Sequence, residues 1–118
     1  MYTFYFEKLE VWQKARAFTK EIYQITMTFP DSERFGIISQ LRRASSSIGA
    51  NIAEGVHRNT NKDKARFVNI AFGSAMEALN FLILSLDLGF IDENYYILLR
   101  QQIEAIANQL NAFYKSLL

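Results

Sequence analysis

The chain has 118 residues with no cysteine, one histidine and one proline, and 13 Lys+Arg against 12 Asp+Glu leave a formal charge of +1. Disulfides, thiolate metal sites, a cysteine nucleophile and His-rich metal centres are therefore excluded. Half the residues are hydrophobic and 21% are charged, so one folded domain over 1–118 is expected, with a core that needs no covalent staple.

Met1 to Glu10 is aromatic and then charged. It lacks the basic start, apolar centre and small-residue cleavage site of a secretory leader, so a cytoplasmic location is the expectation. The first helix follows from Val11, Ala15, Phe18, Ile22, Ile25 and Phe29, whose alternating steps of four and three trace one helical stripe. Leu9 and Trp12 widen it, and Pro30 is expected to end it, because the residue before a proline is pushed out of the helical region.

Asp31 and Ser32 offer oxygens to cap a second helix, with Glu33 in its first turn. That helix carries Ile37, Ile38, Leu41, Ala44, Ile48, Ile52 and Val56 at helical spacing. Gly49 and Gly55 each cost about 1 kcal/mol in a helix relative to alanine, so they point to close approach of another backbone. Ser45, Gly49 and Ala53 form a small-residue track of the same kind.

Thr60 with Asp63 three residues on is a capping-box variant that opens a third helix. It runs through Phe67, Ile70, Ala71, Ser74, Ala75, Ala78, Leu82, Ser85 and Leu86 to Gly89, a left-handed C-cap with Phe90 placed for the accompanying hydrophobic contact. Asp92 caps a fourth helix with the stripe Tyr96, Leu99, Ile103, Ile106, Leu110, Phe113 and Leu117. No segment alternates as a strand would. The expected fold is all-α, an antiparallel up-down four-helix bundle.

The apolar run Phe81–Leu88 is interrupted by Ser85 and Asp87 and falls short of the ~20 residues a bilayer requires, so no membrane role is expected. The third helix is nonetheless apolar nearly all round, with Phe72, Met76, Leu79, Ile83 and Leu84 outside its stripe. A single bundle buries one stripe per helix. The surplus implies a second buried surface, most economically self-association into a closed ring.

Residues with chemical potential do not assemble into a site. Glu54 and His57 have the Glu-x-x-His spacing of di-iron bundles, but such a site needs a second pair and the chain has no second histidine. Ser45, Ser46 and Ser47 have no base at a suggestive spacing. Glu54 and Glu77 would serve as paired carboxylates, against the alternative of ion pairs with Arg42, Arg43 or Arg66. No enzyme activity, catalytic residue, metal or cofactor is expected.

Charge carries the remaining signal. Residues 1–33 hold −1, residues 34–66 hold +5 and residues 67–118 hold −3. Arg42, Arg43, Arg58, Lys62, Lys64 and Arg66 are thus candidates for contacting nucleic-acid phosphates, more strongly in a ring that multiplies them. The alternative is a solvated helix face whose arginines pair with the acidic fourth helix.

Particular residues also carry a likeness. Phe6–Ala15 around Trp12, Phe29-Pro30 with Glu33–Gly36, Ser39–Ala44 with its Arg42-Arg43 pair, Asn51-Ile-Ala-Glu54-Gly55, Gly73-Ser74 with Glu77, and Leu88–Phe90 together resemble the bacterial four-helix bundle family named for 23S rRNA intervening sequences. The likeness runs from about Phe6 to the end. Gly49-Ala50 departs from it, where a proline-bearing version is expected before Asn51. The resemblance implies an up-down bundle assembled as a homopentamer, and a kinship with the basic pentameric accessory protein of diversity-generating retroelements, which works with a reverse transcriptase and nucleic acid. It brings no catalytic residues. Trp12, Asn51, Glu54, Gly55, Gly73 and Glu77 are its signature, with a role in packing, assembly or ligand contact. Two functions stay open: a nucleic-acid-binding oligomer, and an oligomeric scaffold that docks a protein partner.

Overall fold

Four long helices follow one another in a computed structural model that describes residues 1–118. They are α1 (Glu10–Thr26), α2 (Ser39–Gly55), α3 (Asn61–Asp87) and α4 (Glu93–Ser116). Each packs on its neighbour in sequence and α4 returns to α1, most closely between α2 and α3 and most loosely between α1 and α4. The helices alternate in direction, so the fold is the antiparallel up-down bundle expected. There is no strand.

The stripes read from the sequence meet in the centre. Phe18 and Ile22 of α1, Leu41, Ile48 and Ile52 of α2, Val68 and Leu82 of α3, and Leu99, Ile103 and Leu110 of α4 are fully buried in one continuous core. At about 25 cal/mol per Å² of apolar surface removed from water, this burial is the main term holding the helices together.

The C-terminal end of α3 is punctuated as expected, but at its start only half of the capping box forms, because the Asp63 carboxylate turns to Arg58 and Arg66. The Thr60 hydroxyl accepts the Asp63 backbone N–H at 3.1 Å. At the other end Gly89 takes φ 76°, the Phe90 N–H donates to the Ser85 carbonyl at 2.9 Å and the Gly89 N–H to the Leu86 carbonyl at 3.0 Å. That is the Schellman pattern, with Phe90 packed on Phe29 at a ring separation of 5.3 Å. Asp92 caps α4, its carboxylate accepting the Tyr95 N–H at 2.7 Å.

The α1–α2 connection departs from expectation. The α-helix stops at Thr26, and the chain tightens through hydrogen bonds of the i to i+3 kind up to Phe29 before Pro30. Asp31 and Ser32 do not cap α2. Residues Asp31–Glu33 make a 3₁₀ turn, Arg34–Ile38 a wider turn in which Gly36 has non-helical angles, and α2 begins only at Ser39. Ile37 and Ile38 remain buried across the kink, so the hydrophobic periodicity survives while the helix does not.

By length and composition α3 would pass as a membrane span. Its Val68, Ala71, Ala75, Ala78 and Leu82 are nevertheless fully buried in the bundle core. Its opposite side is bare: Ile70, Met76, Ile83, Leu84 and Leu88 are exposed. The surplus apolar surface read from the sequence is real and faces outward.

Candidate functional site

The +5 segment folds into two separate groups. Arg42 and Arg43 lie in the first turns of α2, whereas Arg58, Lys62, Lys64 and Arg66 lie where α2 gives way to α3. With a rise of about 1.5 Å per residue, about 20 Å of helix separates Arg42 from the end of α2 at Gly55, and Arg58 lies in the turn beyond it.

The first group is used inside the bundle. Arg42 lies over the Tyr23 ring at 4.7 Å, its Nε donating to the Thr26 hydroxyl at 2.9 Å and a terminal nitrogen to the Tyr23 carbonyl at 3.3 Å. Thr26 is buried and its own hydroxyl donates to the Ile22 carbonyl at 2.6 Å. Arg42 thus fastens α2 to the end of α1. Arg43 forms an ion pair with Glu77 across the α2–α3 interface and bonds Gln40 at 3.0 Å. Of the two glutamates, only Glu77 finds an arginine; Glu54 is exposed and forms no ion pair.

The second group gathers around one carboxylate. Asp63 accepts from Arg58 Nε at 2.7 Å and from Arg66 Nε at 3.4 Å. Both guanidinium groups also lie over the Phe67 ring, at 5.2 and 4.8 Å. The Arg58 hydrogen bond holds the Asp63 carboxyl below its usual range, with Arg66 adding to the effect. The same bond raises Arg58, which is charged at any working pH. Lys62 and Lys64 form no ion pair. Lys62 and Arg66, one turn apart, rim a shallow hollow of about 510 Å³ with Tyr114 and Leu117. Arg58 and Asp63 share a second, wholly polar hollow of about 350 Å³ with His57, Asn59 and Thr60.

Several signature residues resolve into packing. A Cβ on Gly55 would sit 2.5 Å from the Phe67 Cβ, so glycine is what lets the end of α2 lie against the start of α3. Gly49 faces the Trp12 ring, whose Nε1 would stand 3.6 Å from an added Cβ. The Asn51 amide donates to the Ser47 carbonyl at 2.8 Å and its hydroxyl at 2.9 Å, and Ser47 joins Ser74 of α3 at 2.8 Å. These contacts form a polar seam between α2 and α3, where small hydroxyls permit a close approach. Gly73 differs, since nothing lies within 4 Å of an added Cβ; it sits on the bare outer side of α3.

A feature that the sequence reading passed over adjoins the basic end. His57 is ringed by Phe4, Tyr5 and Phe6, with ring separations of 6.3, 6.4 and 5.8 Å, all near perpendicular. Sequence alone ties Phe6 to the Trp12 motif and gives Tyr2, Phe4 and Tyr5 no partner. The available signal was an aromatic cluster outside any helical stripe.

The family described as 23S rRNA-intervening sequence protein matches residues 7–112. The chain belongs to the 23S rRNA-intervening sequence protein family. A solved structure of a protein of unknown function from the S23 ribosomal protein family of Bacteroides thetaiotaomicron is similar over 89% of this chain and 98% of its own, with 26% identity and a TM-score of 0.81. Comparison with curated proteins gives no match. The matched span takes in all four helices except the last residues of α4. It therefore includes both the polar α2–α3 seam and the basic end.

Proposed function

We propose that this protein is a non-enzymatic binding bundle that assembles into a ring, a homopentamer on the resemblance, and holds the phosphate backbone of RNA or DNA at the end where α2 turns into α3. The observation that carries the reading is the gathering of Arg58, Lys62, Lys64 and Arg66, with Asp63 as the one carboxylate ion-paired to any of them. Cations so placed neutralise phosphates and release counterions, and each added copy multiplies the effect. Arg42 and Arg43, engaged within the bundle, contribute little. The bare side of α3 supplies the contact between copies, since exposed apolar surface of this kind marks an interaction site.

The test is binding of labelled RNA and DNA across a salt series, with the mass in solution measured by light scattering. Affinity that falls steeply with salt supports the reading, and no binding at low salt overturns it. A monomeric mass overturns the assembly through α3.

A second reading, a scaffold that docks a protein partner, is favoured by one observation. The Arg43–Glu77 pair and the seating of Arg42 on Tyr23 show arginines of the family motif spent on holding the bundle. On that reading the bare α3 side receives the partner, and nucleic acid does not bind.

A further inference from the structure

Of the aromatic residues before α1, Phe6 packs against the core, whereas Tyr2, Phe4 and Tyr5 stay outside it. Tyr2, Phe4 and Tyr5 are 77, 54 and 56% exposed. The segment is nevertheless pinned. The Phe4 N–H donates to the Glu7 carboxylate at 2.8 Å, the Gln13 amide donates to the Glu7 carbonyl at 2.9 Å, and Phe6 packs edge-on against Trp12 at 5.0 Å. Folding has therefore ordered large aromatic rings and left them facing water.

Their rings meet edge to face, with none stacked flat upon another. Tyr2 meets Phe4 at 77° and 5.0 Å, and Phe4 and Tyr5 each meet the His57 ring at more than 80°. Edge-to-face packing of this kind satisfies the ring quadrupoles without stacking one face upon another. His57 itself lines the polar hollow with Arg58, Asn59, Thr60 and Asp63, so exposed aromatic rings and the cations of the basic end adjoin at one end of the bundle.

We infer that the nucleic acid bound at this end is single-stranded, with unpaired bases stacking on Tyr2, Phe4 and Tyr5 beside His57 while the backbone runs past Arg58 and Lys62. The inference rests on the nucleic-acid reading above and adds the class of ligand to it. Aromatic platforms beside a cationic track suit single strands, because every base has a π-face and stacking tolerates any sequence. A duplex keeps its base faces stacked inside and meets only the cations. The amide of Asn59 lines the same hollow and supplies hydrogen-bonding groups for the edge of a base or a ribose hydroxyl.

The experiment compares fluorescence anisotropy of labelled oligo(U) and oligo(dT) with that of a duplex of equal length, using the full chain at one low salt concentration. The single strands are expected to bind at least about tenfold tighter, the scale set by stacking one base on an aromatic ring. The double variant Tyr2→Ala, Phe4→Ala is expected to lose about that factor for single strands and to leave duplex binding unchanged. Tyr5→Trp is expected to retain the affinity and to show quenched tryptophan emission on adding oligo(U). Both alanine substitutions fall at exposed positions, so thermal unfolding should match the parent chain and separate a binding loss from a folding loss. Equal affinity for single strand and duplex, unmoved by the double variant, overturns the stacking platform and leaves the phosphate reading standing. Absence of binding to all three probes overturns both. A fall in solution mass of the double variant with unchanged oligo(U) affinity makes the segment a contact between copies, and overturns the inference.

Discussion

Gly55 of α2 lies against Phe67 of α3 so tightly that a Cβ built on the glycine would stand 2.5 Å from the Phe67 Cβ and 3.6 Å from the Lys64 carbonyl oxygen. A Cβ is fixed to its backbone and cannot swing aside. Gly55→Ala must therefore part the two helices at this contact, and overpacking of this kind costs about 1–3 kcal/mol. The expected outcome is a Tm lower by several degrees in thermal unfolding followed by circular dichroism. Gly73→Ala is the matched control. Within one chain nothing lies within 4 Å of the added atom, so the variant gains the helical preference of alanine, about 0.5–1 kcal/mol, and Tm rises; a Tm that falls instead marks Gly73 as part of the contact between copies on that side of α3.

The close approach at Gly55 was legible as a glycine inside a helical pattern, whereas Gly49, which carries the same signal, meets only the Trp12 and Ala15 side chains at ordinary contact distance. The four stripes and the caps at Thr60, Gly89 and Asp92 were legible because they depend on neighbours within a turn or two. The start of α2 was not: Asp31 and Ser32 have the chemistry of a cap, but the 3₁₀ turn and the kink at Gly36 are set by how the chain crosses from α1 to α2. The pairing of Arg43 with Glu77, and of Arg58 and Arg66 with Asp63, depends on helix register and on the path of the turn. Periodicity placed these residues on helices without saying which partner each would meet. The aromatic ring around His57 joins residues more than fifty positions apart, beyond the reach of any local pattern.

The loosest seam of the bundle, between α1 and α4, carries a hydrogen bond whose loss has a pH signature. The Tyr95 hydroxyl donates to the Glu21 carboxylate at 2.5 Å, and this bond, with burial and the nearby negative charge adding to it, pushes the Tyr95 pKa up to about 12 from 10.0. The folded protein thus holds the phenolic proton more tightly than the unfolded chain. The stabilisation is complete below pH 10 and is lost as pH rises through about 12. Phenol absorbance is expected to show a late-titrating tyrosine, and denaturant unfolding to show stability falling across that interval. Tyr95→Phe should remove the late titration and flatten the fall, at a cost of about 1 kcal/mol below pH 10.

The Arg43–Glu77 pair is expected to register α2 on α3 more than to stabilise the fold. The two side chains are 55% and 38% exposed, so solvent screens their attraction. A double-mutant cycle of Arg43→Ala and Glu77→Ala should return a coupling of about 0.2–1 kcal/mol in urea unfolding. That coupling should shrink further as salt is raised. If Arg43 instead contacts phosphate, its removal would flatten the salt dependence of nucleic-acid binding, an effect expected for Lys62 and not for Arg43.

Asp63 makes the sharpest test of the phosphate reading, because it is the one negative charge paired within the basic end. Its carboxylate draws in Arg58 and Arg66, while its backbone N–H, not its side chain, meets the Thr60 cap. Asp63→Asn therefore keeps the cap and the shape of the turn and releases two guanidinium groups. Removing one negative charge beside the phosphate track should strengthen RNA and DNA binding and steepen the slope of log K against log salt by about 1. The parent protein should follow the same course on acidification. Because Arg58 holds the Asp63 pKa down, the ion pairs persist through the ordinary carboxylate range and are lost only as pH falls through the lowered value. Binding that strengthens at that lower pH in the parent chain, and is insensitive to pH in Asp63→Asn, ties the effect to this carboxylate. Weaker binding by Asp63→Asn would mean that the ion pairs preorganise the arginines for phosphate rather than compete with it.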